Sequence, residues 1–250
     1  MMKHSRKPSS KHLQRTYTHR ARRLRPQIQQ IYEEKKNLLY IQDGKPEKVK
    51  KFLSFYKEVH IPHQPVCLYP HCINGKIPKI IIDIGFGAGE SILQIASISS
   101  YRILGIEVYQ NGIAKLFRDL PDNALKNIRV MQGSALYYFS YSLPSSSIDA
   151  IHIFFPDPWI KKRHHKRRLL QKKHMNIILK PLKIGGYLYF TTDWHEYAEQ
   201  VYHTLMLDSR LRNRYYRFAP RQEWRAETKY EKKAQKEGRI CRELLFDKIM

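Results

Sequence analysis

Residues 79–90 read KIIIDIGFGAGE: a β-branched apolar run stops in three alternating glycines, Gly85, Gly87 and Gly89, just before a helical stretch. A run without polar alternation suits burial on both faces, as in a strand inside a parallel sheet. The rhythm then repeats. Further strands are expected near 102–108, 128–132, 149–155 and 187–192, with helical stretches at 90–97, 110–120, 135–141, 167–182 and 195–207. Strand–helix alternation of this kind predicts an α/β, doubly wound, mostly parallel sheet covered by helices on both faces. The end of the chain breaks the alternation. There YYRFA and ICRELLF read as two closing strands around the charged insert ETKYEKKAQKEGR, so the final strand is expected to be antiparallel. No internal repeat is present.

The 250 residues, 42% of them hydrophobic, suffice for one mid-sized domain over 26–250, preceded by a basic tail over 1–25 with almost nothing to bury. Forty-six Lys and Arg against 22 Asp and Glu give a formal charge of +24. The cations are clustered: no acid precedes Glu33, and none lies between Pro158 and Thr192. Blocks of this kind match phosphates, and a nucleic acid is the expected partner. No run of 18 apolar residues and no apolar leader region is found, so neither a membrane partner nor secretion is expected. Three cysteines fit a reducing, cytoplasmic setting better than a disulfide framework. HIPHQPVCLYPHC gathers His60, His63, Cys67, His71 and Cys72, but without the tight pairs usual for zinc; no metal is expected.

The glycine turn admits close backbone approach to a ligand and leads into a helix N-terminus. A dinucleotide fingerprint would place its third glycine where this chain has Glu90, an acid that opposes a pyrophosphate. A ligand without phosphates fits better, with S-adenosyl-L-methionine as the candidate. Glu107 ends the next strand about 20 residues beyond the turn, where an acid accepts from ribose hydroxyls. Asp83, heading the turn, is placed to hold the loop backbone or an ammonium group.

The stretch FFPDPWIKKRHHKRRL sets a carboxylate, Asp157, between two prolines at the end of the fourth strand. In open α/β sheets ligands sit at that edge. Pro156 and Pro158 fix their own φ and restrict the residue before each, so Asp157 is expected on stiff, extended backbone, ready to accept from the N–H edge of a base. Lys161, Lys162, Arg163, Lys166, Arg167 and Arg168 would neutralise the phosphates around it. Trp159 either packs the loop or stacks on a base. Asp193, in TTDWHEYAE, is open to a plainer role as cap of the helix that follows, and Thr228 and Glu231 are spaced as a capping box that presents Lys229 and Tyr230.

With DIGFGAGE, GIEV, FFPDPWIKKRHHKRR, TTDW and TKYE in that order, the sequence closely resembles the bacterial tRNA (guanine-N7)-methyltransferase family from about residue 18 to the end. The resemblance implies a Rossmann-like class I methyltransferase sheet. It also implies methyl transfer from S-adenosyl-L-methionine to N7 of a guanine in the tRNA variable loop, tRNA position 46. Carried onto matching positions, the cofactor residues would be Asp83, Gly85, Gly87, Gly89, Glu107, Ser134 and Asp157. Lys161, Asp193, Thr228, Lys229, Tyr230 and Glu231 would contact substrate, and Asp157 would be catalytic. Two positions depart from the family: Asp83 stands where Glu is common, and Ser134 where an Asp usually meets the adenine amino group. Two rivals differ in kind: an amino-group nucleic-acid methyltransferase, whose motif has a second proline where this chain has Trp159, and a non-catalytic RNA-binding protein retaining the fold. A monomer or a homodimer fits equally.

Overall fold

The computed structural model describes residues 24–41, 79–99 and 101–250. Most of the basic tail and the whole His/Cys cluster of residues 60–72 lie outside these. Five strands alternate with helices: β1 (Ile80–Ile84), β2 (Arg102–Glu107), β3 (Ile128–Gln132), β4 (Ile148–Phe154) and β5 (Leu182–Thr192). Helix α1 (Pro26–Leu39) precedes them, and α2 (Glu90–Ile98), α3 (Gln110–Asp119), α4 (Ala135–Tyr141), α5 (Met175–Leu179) and α6 (His195–Met206) intervene or follow. The chain ends with β6 (Leu211–Asn213), α7 (Lys229–Lys236) and β7 (Arg242–Lys248). The sheet order is β3-β2-β1-β4-β5-β7-β6. All neighbours from β3 to β5 are parallel, whereas β7 runs antiparallel to both β5 and β6.

Side-chain alternation divides the core. Ile82 and Ile84 of β1, with Leu104 and Ile106 of β2, pack with Phe139, Ile178 and Val201 from α4, α5 and α6. Ile81 and Ile103 point the other way, toward Leu39, Ile92 and Phe117 from α1, α2 and α3. Every residue of β1 and β2 is buried, which is why these strands read as mostly apolar runs without polar alternation. The order reverses between β1 and β4, so the crevice forms where their carboxyl ends meet.

Three expectations are corrected. The stretch 167–182 is not one helix: short 3-10 turns at Lys162–Arg167 and Lys172–His174 lead into the five-residue α5. Arg168 leaves the helical range at ψ 140, with its side chain buried, and α5 ends just short of Pro181, which disfavours helix before it. YYRFA contributes only a bridge, Ala219 to Glu243, and the edge strand is the preceding Leu211–Asn213. Asp193 does not cap α6. Trp194 holds that position, its N–H donating to Thr192 Oγ1 at 3.2 Å, while Asp193 pairs with Arg239 at 2.8 Å. Among the described residues no helix is long and apolar enough to cross a membrane, and no group of three or more His, Cys, Asp or Glu is placed to hold a metal.

Candidate active site

The turn after β1 takes left-handed backbone at all three predicted glycines, with φ of 71° at Gly85, 59° at Gly87 and 88° at Gly89. Space matters as well as angle. A Cβ on Gly89 would sit 2.6 Å from Leu116 of α3, and one on Gly112 of α3 would sit 2.3 Å from the carbonyl oxygen of Gly87. Helix α3 therefore rests directly on the loop backbone. The loop borders an open cleft lined by Asp83, Gly85, Phe86, Glu90 and Ser91 on one side and by Thr228 and Tyr230, at the start of α7, on the other.

Asp83 is 1% exposed, and its Oδ2 has no hydrogen-bond partner among the described residues. Burial raises its carboxyl to about 7 against the lowering influence of Ser91, with Glu107 and Glu90 raising it further. Glu107, also buried, is organised by backbone: Oε1 accepts from the N–H groups of Val108 at 2.6 Å and Tyr109 at 2.9 Å, and Oε2 from Gly87 at 2.8 Å. Burial still lifts it above the usual carboxylate range, and the charge of Asp157 adds to that. Burial also raises the Tyr230 phenol, helped by Asp157, Glu107 and Glu90. Asp83 and Glu90 line the cleft, and Glu107 and Asp157 lie close enough to influence the groups there. A cationic protein thus borders this cleft with carboxyl groups.

Asp157 is exposed just beyond β4, as its position at the sheet edge predicts. The loop carrying it is strained: Phe155 and Trp159, neither a glycine, have φ of 49° and 47°. Phe155 donates its N–H to Thr191 O of β5 at 2.8 Å and stacks on Tyr230, centroids 6.4 Å apart. Trp159 packs within the loop, covered by the Arg167 guanidinium at 4.8 Å and meeting His164 edge-on. Lys161, Lys162, Arg163 and Lys166 remain exposed.

The assignment of Arg168 to phosphate contact is overturned. Its side chain is 1% exposed and its guanidinium is taken up by protein, with Nε donating to Pro158 O at 2.8 Å and Nη2 to Glu196 Oε2 at 2.9 Å. Glu231 is likewise enclosed. Its carboxylate accepts from Arg225 at 2.8 and 2.7 Å and from Arg221 at 2.8 Å, so only half of the capping box forms, the Glu231 N–H donating to Thr228 Oγ1 at 3.2 Å. Glu231 faces this pair of guanidinium groups rather than the cleft, and it docks α7 so that Thr228 and Tyr230 reach the cleft wall. Lys229 stays exposed, its Nζ 4.9 Å from the centroid of the Tyr230 ring. Ser134 does not line the cleft but sits at the same edge, next to Gly133, whose N–H donates to Glu107 O at 2.9 Å.

Sequence reading missed four contributors. Ser91 and Phe86 carry no motif of their own. Gly112 was legible as an isolated glycine inside a helical stretch, a pattern that often marks close packing. Arg225 was not legible, because an arginine in the polar stretch RQEWRAE just before the charged insert looks solvated. It is in fact 0% exposed and joins Glu231 (2%) to Glu243 (3%), and Glu243 in turn accepts from the Tyr189 hydroxyl.

The chain resembles known proteins over the same region. A family model described as "Putative methyltransferase" matches residues 78–244. The tRNA (guanine-N(7)-)-methyltransferase of Methylobacillus flagellatus is 37% identical over 189 residues, 74% of this chain and 79% of that protein. The one from Neisseria meningitidis serogroup A is 42% identical over 173 residues, 69% and 72% of the two chains. Among solved structures, the aminoglycoside resistance methyltransferase NpmB1 aligns over 82% of this chain and 93% of its own at a TM-score of 0.50 and 16% identity, a likeness of fold alone. The sequence match, running through the glycine turn and the Asp157 loop, places this chain in the tRNA (guanine-N(7)-)-methyltransferase family.

Proposed function

We propose that the protein transfers a methyl group from S-adenosyl-L-methionine to N7 of a guanine in the variable loop of tRNA. The observation that carries this reading is the cleft lined by Asp83 and Glu90, with the buried Asp83 Oδ2 unpartnered among the described residues, in a chain of formal charge +24. The cofactor carries an ammonium and a sulfonium against one carboxylate, a net charge of +1, and has no phosphate, so its cationic groups suit the cleft; the polyanionic tRNA suits the rest of the surface.

Asp83 would hold the ammonium group, offering the partner that its carboxylate lacks among the described residues. Glu107 would meet the ribose: Oε1 already accepts two backbone donors, whereas Oε2 accepts one and keeps room for another. The Ser134 hydroxyl would accept from the adenine amino group, more weakly than a carboxylate. When bound, S-adenosyl-L-methionine supplies an electrophilic methyl group on sulfur.

Guanine N7 presents its lone pair without losing a proton, so the protein needs no strong base and its task is alignment. Asp157 would accept from the N–H edge of the guanine and favour the positive charge that develops on the ring during transfer. Asp193 would support that placement from the end of β5. Tyr230 and Lys229 would border the base, and Lys161, Lys162, Arg163, Lys166 and Arg167 would take the flanking phosphates.

The direct test of the atom is transfer of labelled methyl to a tRNA whose variable-loop guanine is replaced by 7-deazaguanine, which has C–H in place of N7. Incorporation should disappear. Undiminished incorporation would refute N7 of that guanine as the acceptor.

A further inference from the structure

We propose that Arg168 is a positioning residue for Asp157: its buried guanidinium ties the Pro158 carbonyl to α6 and so holds the loop that carries the carboxylate. The proposal deepens the reading of Asp157 given above and rests on it.

Four of the five donors of Arg168 reach protein acceptors, and the fifth faces His165. Nε donates to Pro158 O at 2.8 Å; Nη1 donates to Glu196 Oε1 at 3.0 Å and Gln200 Oε1 at 3.2 Å; Nη2 donates to Glu196 Oε2 at 2.9 Å and lies 3.1 Å from His165 Nε2. Its plane also lies 4.7 Å from the centroid of the Tyr197 ring. A guanidinium has five N–H donors in a fixed fork, and here they face protein, which leaves no capacity for a phosphate.

The loop needs such an anchor. Phe155 and Trp159 hold left-handed backbone on either side of the Pro156–Asp157–Pro158 segment, a conformation that persists only when its surroundings enforce it. Asp157 is exposed, and among the described residues nothing hydrogen-bonds its carboxylate, so its placement depends on the backbone that carries it. One end of that backbone is fixed by the Phe155 N–H to Thr191 O. The other is fixed by Arg168 at Pro158. The cationic run is therefore divided, with Lys162, Arg163 and Lys166 exposed to solvent and Arg168 bracing the loop from beneath.

Arg168→Met in the full chain is compared with the triple variant Lys162→Ala, Arg163→Ala, Lys166→Ala. Readouts are kcat and KM for a tRNA transcript over a range of salt, and amide hydrogen exchange of the segment 154–161 without tRNA. For Arg168→Met the expected result is a kcat loss on the order of 100-fold, as for a misplacement of about 1 Å, with KM and its salt dependence unchanged. Exchange should quicken in 154–161 while β4 and α6 stay protected. Arg168→Lys should recover little, because a single ammonium cannot span both partners. The triple variant should instead raise KM and flatten its salt dependence.

If Arg168→Met raises KM and flattens the salt slope while keeping kcat, Arg168 is a phosphate contact and the proposal is overturned; wild-type kcat or unchanged exchange overturns it equally. Should Arg168→Met fail to fold, Glu196→Ala removes the solvent-side anchor instead, and it must show the same two effects in weaker form. If the wild type transfers no methyl to tRNA, the reading of the substrate fails, yet the exchange comparison still decides whether Arg168 holds the loop.

Discussion

Asp83 keeps a carboxyl group where solvent does not reach it, and burial raises that group from 3.8 to about 7. Between those two values the folded chain binds a proton that the unfolded chain has released, so this group's contribution to stability falls as pH rises across the window. Asp83→Asn should therefore raise the melting temperature of the ligand-free protein at pH 8, by an amount matching a few kcal/mol, and make little difference near pH 4. A bound ammonium reverses the preference, since it favours the ionised form. The Kd for S-adenosyl-L-methionine should fall as pH rises through about 7 in the wild type and lose that dependence in Asp83→Asn; titration calorimetry across pH 6 to 8 checks both, and a pH-independent wild type would count against the ammonium contact. For Asp157, replacement by Ala should lower kcat by about 100-fold or more while cofactor binding is largely kept. Near-normal turnover would remove Asp157 from the chemistry.

At the level of elements, two contacts hold the cleft in shape. Helix α3 lies against the glycine loop at Gly112, where even a methyl group would meet the Gly87 carbonyl at 2.3 Å. Gly112→Ala should displace the loop and weaken cofactor binding by roughly 10-fold, comparable to about 1.4 kcal/mol; unchanged binding would mean that α3 yields freely. Helix α7 is docked through Arg225, and burial works against that guanidinium while Glu231 and Glu243 more than offset it. Arg225→Met leaves two buried carboxylates short of their partner, at about 3–5 kcal/mol, so Tm should drop by roughly 10 °C and Tyr230 should leave the cleft. A variant that melts like the wild type would show the network to be dispensable. The five strands of the parallel part were legible because each is a short, mostly apolar run, and 128–132 appears with the bounds expected from sequence; the edge strand Leu211–Asn213 was not. The stretch 167–182 was not legible, since nothing local tells a solvated arginine from one drawn inward to Pro158. The same blindness hid Arg225, whose partner Glu243 lies 18 residues away on β7.

Among the described residues, the acids of the site and the exposed cations occupy different places. Asp83 and Glu107 lie at the ends of β1 and β2 and Asp157 just beyond β4, and all three could be named from the sequence as residues of one site from those places. The exposed cations Lys161, Lys162, Arg163 and Lys166 lie beyond that edge, and tRNA affinity should weaken steeply with salt, by about 0.7 to 0.9 in logarithmic slope for each phosphate engaged. The central claim concerns one atom, and one measurement reaches it. An unmodified tRNA transcript with a variable-loop guanine is methylated with labelled S-adenosyl-L-methionine, then reduced with borohydride and cleaved with aniline, which cuts the chain at N7-methylguanine. The account predicts incorporation together with a single cut at the variable-loop guanine; incorporation without that cut, or binding of tRNA without incorporation, would contradict it.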